Sequence, residues 1–231
     1  MAAEHETDDV QEAEAPQEHA KHDRAEMLRH GAQATRQKAE FILSRCYGLL
    51  RDPKGEWEQI RAEETNIPSI LIGYVAPLAA IPVVCGLLGS FIFGNSYGGE
   101  VLRPPLADAL VGGVVSFVAS VALVFLLGIL INAVAENFDA DRDDLAAQKV
   151  AAYSMTPAFL SGIFSLWPPL WWLSIVAIAA SAFLLYRGLP VLMKAPEDRA
   201  LGYASMVGIA GAVAFIILFS VSGCVTGAAR V

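Results

Sequence analysis

The sequence predicts an all-α fold: an integral membrane bundle of five transmembrane helices with an N-terminal amphipathic helix. Three observations carry this prediction. The 231 residues are 55% hydrophobic, with a mean hydropathy of +0.48. Charged residues are 17% of the chain, below the roughly one quarter usual in soluble domains. The charges are also segregated: 9 of the 16 Lys and Arg lie in the first 66 residues, and long uncharged stretches follow.

Residues 1–36 are rich in Ala, Glu, Gln, Asp and His and contain no aromatic residue. Such a stretch cannot bury enough apolar surface to offset its ordering, so a disordered, charged cytoplasmic tail is predicted. It has neither the apolar core of a signal peptide nor the acid-poor composition of a transit peptide, which leaves insertion to the first span. Residues 37–66 change character. Phe41, Ile42, Leu43, Cys46, Tyr47, Leu49 and Leu50 form a broad apolar face accompanied by Arg36, Lys38, Arg45 and Arg51. This predicts an amphipathic helix on the membrane surface or packed on the cytoplasmic loops. Asp52-Pro53-Lys54-Gly55 turns the chain, and Trp57 is placed to anchor at the interface.

The membrane domain is predicted over 67–225. Its first span, 67–94, is uncharged and longer than the roughly 20 residues a crossing needs, with Pro77 and Pro82 inside it. After a Gly- and Pro-containing loop comes the second span, 109–135, in which Asn132 is the one strongly polar interior residue. The loop Glu136–Lys149 carries five acidic and two basic residues. Asp139, Asp141 and Asp143 have the spacing of a calcium loop. Asp144 stands where that loop needs Gly, however, and Val150 where it needs Glu. These carboxylates fit a helix N-terminus better, with Asp143 or Asp144 as the cap.

No residue between Lys149 and Arg187 is charged. A single helix of that length would measure about 55 Å, too long for one crossing. Two spans, 145–166 and 170–186, joined at Trp167-Pro168-Pro169 fit instead, with Trp167, Trp171 and Trp172 forming an aromatic belt. The fifth span, 201–225, carries Ala204, Gly208 and Ala212, a small-residue ridge that permits close helix approach and is compatible with a homo-oligomer. With five spans, Arg51, Lys54, Arg61, Arg142, Lys149, Arg187, Lys194 and Arg199 share one side, against Arg103 and Arg230 on the other. The positive-inside rule then puts the N-terminus in the cytoplasm and the C-terminus opposite.

No catalytic constellation emerges. The histidines, His5, His19, His22 and His30, all precede the membrane domain, and Ser161-Gly162 has no His partner. HExxH, P-loop and dinucleotide-binding patterns are absent, as is a basic stripe with interleaved aromatics. The expectation is a non-enzyme with no cofactor, no metal and no nucleic-acid partner. The cysteines Cys46, Cys85 and Cys224 have no paired spacing and read as buried apolar thiols. Pro157 leaves the Tyr153 carbonyl without its helical donor. That points to a polar recess near the cytoplasmic face walled by Tyr74, Asn132, Tyr153, Ser154, Thr156 and Pro157.

Several pieces, in order, resemble the Yip1-domain membrane proteins, in their compact bacterial branch, over roughly residues 40–225. They are Pro53…Trp57…Ile60…Glu63, then Gly73-Tyr74-Val75-Ala76-Pro77-Leu78, then Ala135-Glu136-Asn137-Phe138 leading to Ala151-Ala152-Tyr153-Ser154-Met155-Thr156-Pro157. The Trp167-Pro168-Pro169 turn and Tyr186-Arg187-Gly188-Leu189 complete the set. The resemblance implies a five-span protein of the inner membrane with a cytoplasmic N-terminus. Eukaryotic relatives are associated with Rab-type GTPases, a role not carried over because the bacterial branch is similar mainly in its membrane part. Where that branch commonly has glycine after the Phe that ends the second span, this chain has Asp139. The expected function is binding or organising an unidentified membrane or cytoplasmic protein within the bilayer. The alternative is a small-solute transporter or channel.

Overall fold

A computed structural model describes residues 3–97, 100–102 and 105–228. The chain divides into two compact units, Met1–Ser44 and Arg45–Val231. Helix α1 spans Ala3–Arg51, so the tail backbone is helical from Ala3 where the sequence predicts disorder. Ala, Glu, Gln and Lys are strong helix formers, and a helix satisfies its own backbone bonds without burying anything. The i,i+4 pair Arg36–Glu40, at 2.9 Å, adds local support.

In the second unit, Asp52 ends α1 and caps α2 (Pro53–Ala62), its Oδ1 accepting from the Gly55 N–H at 3.2 Å. Trp57 and Ile60, one turn apart, are both 0% exposed. Trp57 is therefore a packed core residue and not the interfacial anchor its position in the sequence predicts. Gly188 makes the room: a Cβ there would lie 2.7 Å from the indole ring.

The first apolar stretch is α3 (Ile67–Ile70), a π-turn over Leu71–Val75, and α4 (Ala76–Phe93). Asn66 caps α3 through the Ser69 N–H at 2.9 Å. In the π-turn the Ala76 N–H reaches back five residues to the Leu71 carbonyl, and Pro77 follows with no donor to restore the ladder. A two-stranded antiparallel ribbon, β1 (Asn95–Tyr97) and β2 (Glu100–Leu102), pairs Asn95 with Leu102. It occupies the connection predicted to be irregular, and among the described residues it is the only strand pairing in an otherwise helical fold.

Helix α5 (Leu106–Val134) returns antiparallel to α4. It ends in a 3-10 turn, Ala135–Phe138, closed by Asp139 at φ 52°. Then α6 (Asp144–Ser154) starts on an Asp143 cap, its Oδ1 accepting from the Ala146 N–H at 2.9 Å, the first of the two caps the sequence leaves open. The predicted span 145–166 is not one helix. It comprises α6, α7 (Thr156–Leu160) and a 3-10 segment, Ser161–Leu166. Pro157 has no N–H to bond the Tyr153 carbonyl, so the α-ladder breaks at Met155. Helices α8 (Leu173–Leu192) and α9 (Glu197–Ala228) complete the chain.

Four described helical stretches are long and apolar enough to cross a membrane: Ile67–Phe93, Leu106–Phe138, Leu173–Leu192 and Glu197–Ser220. The broken segment runs beside the first of these in the same direction. Thr156 meets Tyr74, a Cβ on Gly162 would lie 2.4 Å from Pro82 Cα, and one on Gly89 would lie 2.2 Å from the Ser165 carbonyl oxygen. These two glycines permit backbone contact that no larger residue allows. Large apolar side chains on the outside, such as Ile72, Val114, Ile178 and Ile216, are exposed, as lipid-facing positions would be. Trp167, Trp171 and Trp172 are exposed at the connection before α8, where the belt is predicted.

Candidate functional site

Several buried polar residues of the second unit gather where the end of α1, α2, the π-turn and the α6–α7 break meet. Two linked sets make up the cluster. The first is a run of hydroxyls. Thr156 Oγ1 donates to the Tyr153 carbonyl at 2.7 Å, covering the acceptor that Pro157 leaves bare. Its single proton spent, Thr156 accepts from Tyr74 Oη at 2.8 Å. Tyr74 Oη in turn has only its lone pairs to offer the Cys46 thiol, 3.9 Å away. Direction is thus fixed along the run: Cys46 to Tyr74 to Thr156 to the Tyr153 carbonyl. Tyr74 is 2% exposed, Tyr153 1% and Thr156 0%. Burial pushes the Cys46 thiol above the ordinary thiol range.

The second set is ionic. The Arg45 guanidinium donates to Glu56 Oε1 at 2.7 Å and to Glu63 Oε2 at 2.9 Å, bridging α1 to both ends of α2. Gly48 makes room for this fork, since a Cβ there would lie 2.0 Å from Glu56 Oε2. Tyr153 Oη donates to Glu63 Oε2 at 3.2 Å, and the Arg45 guanidinium lies 5.7 Å from the Tyr153 ring centroid. Lys149, from α6, donates to the carbonyls of Ile60 at 2.8 Å and Glu63 at 2.6 Å. It therefore caps the C-terminus of α2 with a cation, the sign its dipole favours. Two cations and two carboxylates balance, with Arg45 and Lys149 buried. Such a set pins one geometry because losing any member strands the others.

The structure thus brings together five of the six residues singled out in the sequence: Tyr74, Tyr153, Ser154, Thr156 and Pro157. Ser154 bonds back to the Ala151 carbonyl at 3.2 Å. Asn132 lies elsewhere, its Nδ2 on the Asp144 carboxylate at the start of α6, more than two helical turns before Tyr153. The sequence reading missed Arg45, Glu56, Glu63 and Lys149. Lys149 carried the usable signal, as a cation placed just inside an apolar stretch that must find a partner. No group of three or more His, Cys, Asp or Glu among the described residues is arranged to hold a metal ion.

Most of the pieces that build this cluster, from α2 through the Tyr-Ser-x-Thr-Pro string, fall within one family match. A profile of the Yip1 domain matches residues 47–218. The chain belongs to the Yip1-domain family. It is also similar to the inner membrane protein YohC of Escherichia coli K12, at 29% identity over 185 residues, covering 78% of this chain and 94% of the relative. YohC of Escherichia coli O6:H1 matches with the same figures. No solved structure matches. The family match begins two residues after Arg45, so the arginine that bridges the ionic set lies just outside it. This member of the Yip1-domain family is a multi-pass membrane protein.

Proposed function

We propose that this protein is a non-enzymatic inner-membrane scaffold of five spans that binds or organises partner proteins in the bilayer. One observation carries the reading. The polar groups of the buried cluster are spent on one another: the hydroxyl run ends on a backbone carbonyl, and the charges form a balanced, cross-bridged set. Such a cluster builds a rigid end to the bundle. The resemblance to YohC supports the inner-membrane location.

The fifth crossing is the broken segment 144–166, and its course beside the first span supports this. The loops that follow the second and fourth spans are tied by Lys194–Asp141 at 2.7 Å, Arg199–Asp139 at 2.8 Å and Asp141 N–H to the Met193 carbonyl at 2.8 Å. That link supports five crossings with these loops together on the cytoplasmic side. The end of α1 is then an interfacial helix. Reporter fusions at Pro16 and Val231 test the topology: opposite compartments are expected, and the same compartment for both removes a span. In-membrane cross-linking of the wild type, compared with Arg45→Ala and Gly208→Leu variants of equal expression, tests the scaffold role. Discrete adducts that a variant loses are expected. Identical patterns throughout count against the role.

A second reading has its own observation. The π-turn at Leu71–Val75 faces the break at Met155, so two discontinuous segments meet at one depth, as in many transporters. A saturable solute flux in proteoliposomes, abolished by Thr156→Val, would favour transport over scaffolding.

A further inference from the structure

We propose that the end of α1 is a docking surface for anionic phospholipid headgroups of the cytoplasmic leaflet, with Arg51 and Lys54 as the phosphate-binding cations. The proposal rests on the reading of this helix as interfacial. The depth of the helix is fixed by its buried side. Arg45 is held by Glu63, four residues before the first apolar stretch begins at Ile67. Cys46 reaches the hydroxyl of Tyr74, about two helical turns inside that stretch. Cys46 and Leu49 are buried, at 6% and 0% exposure, whereas Tyr47 and Leu50 on the other side are 59% and 56% exposed. Two large apolar side chains are therefore presented where headgroups meet acyl chains, a depth suited to an amphipathic ring such as Tyr47.

The local charge selects the headgroup. The Arg51 guanidinium donates to Tyr47 Oη and lies 5.5 Å from the Tyr47 ring centroid, so the ring orients the cation and leaves its other N–H donors free. Lys54 is exposed three residues on. Among the described residues no carboxylate pairs with either cation. The nearby acids are otherwise engaged: Asp52 caps α2, Glu56 holds Arg45, and Glu58 pairs with Arg61 at 2.6 Å. A planar guanidinium with free donors beside an apolar ring and a second cation matches a phosphodiester above an acyl chain.

The test uses the full-length protein. A nitroxide at Leu50→Cys, with Cys85 and Cys224 replaced by Ala, reports depth in nanodiscs of phosphatidylcholine alone or in equal parts with phosphatidylglycerol. Titration of short-chain phosphatidylglycerol into neutral-detergent micelles, with phosphatidylcholine as the reference, reports headgroup choice. The nitroxide should be accessible to oxygen and shielded from a water-soluble nickel chelate. Phosphatidylglycerol should bind more tightly than phosphatidylcholine. Arg51→Gln and Lys54→Gln should each weaken it about fivefold, equivalent to about 1 kcal/mol per surface cation, and Arg142→Gln, whose guanidinium is already paired with Glu136, should not. A label open to the nickel chelate overturns the interfacial reading and the proposal with it. A shielded label with no phosphatidylglycerol preference, or a preference that both variants retain, overturns the proposal alone.

Discussion

Replacing Thr156 by Val changes almost no volume and removes one oxygen, which isolates the role of the hydroxyl run. Two bonds end on that oxygen: its own donation to the Tyr153 carbonyl at 2.7 Å and the bond from Tyr74 Oη at 2.8 Å. Pro157 supplies no N–H, so the Tyr153 carbonyl would be left bare, and Tyr74 would lose its acceptor at 2% exposure. Each stranded buried group costs about 1–3 kcal/mol, so with two of them Thr156→Val should destabilise by about 2–6 kcal/mol. Tyr74→Phe should cost less, about 1 kcal/mol, because Thr156 still covers the carbonyl. In the double variant no tyrosine hydroxyl remains to be stranded, so the costs should fall short of additivity by about 1 kcal/mol. Thr156→Ser should stay near wild type, losing about 0.8 kcal/mol for one methyl-sized group. Unfolding of the detergent-solubilised protein, followed by denaturant titration across all four variants, measures these differences. If Thr156→Val unfolds within about 0.5 kcal/mol of wild type, the noise of a neutral surface change, the reasoning fails.

Further outcomes follow from the same cluster. Arg45→Ala strands two carboxylates beside Tyr153 and should cost about 3–5 kcal/mol in the same assay, while Arg45→Lys recovers only part because an ammonium cannot fork to Glu56 and Glu63. Gly162→Ala should lower the melting temperature more than Gly73→Ala, since its new methyl meets the Pro82 backbone at 2.4 Å whereas one at Gly73 meets nothing within 4 Å. Lys194 adopts φ 51°, a left-handed conformation costing about 1–2 kcal/mol, so Lys194→Gly should stabilise the fold despite losing the exposed pair with Asp141. The Cys46 thiol, raised by burial, contributes stability that is complete below the ordinary thiol range and is lost as pH climbs through the raised value. Maleimide labelling at neutral pH should accordingly be slower at Cys46 than at an exposed engineered cysteine, and should accelerate on unfolding.

Composition and charge segregation were enough to identify a multi-pass helical membrane protein, because hydrocarbon tolerates only segments that satisfy their own backbone and carry few charges. Local chemistry also made a helix cap at Asp143 or Asp144 and the exposed carbonyl before Pro157 legible, since each depends on neighbours a few residues away. Asp139 adopts a φ of 52°, a left-handed conformation that Asp tolerates better than most residues. Partner choice across the fold was not legible. The sequence did not say that Trp57 would sit over Gly188, that Gly162 would admit Pro82, or that Arg45 would bridge two glutamates 11 and 18 residues away. The tertiary structure alone decided that Lys149 caps α2 across 86 residues and that Asn132 leaves the hydroxyl cluster for Asp144. Long-range polar contacts depend on how helices rotate and approach. Glycine clefts and proline breaks set those rotations, and hydropathy periodicity does not encode them.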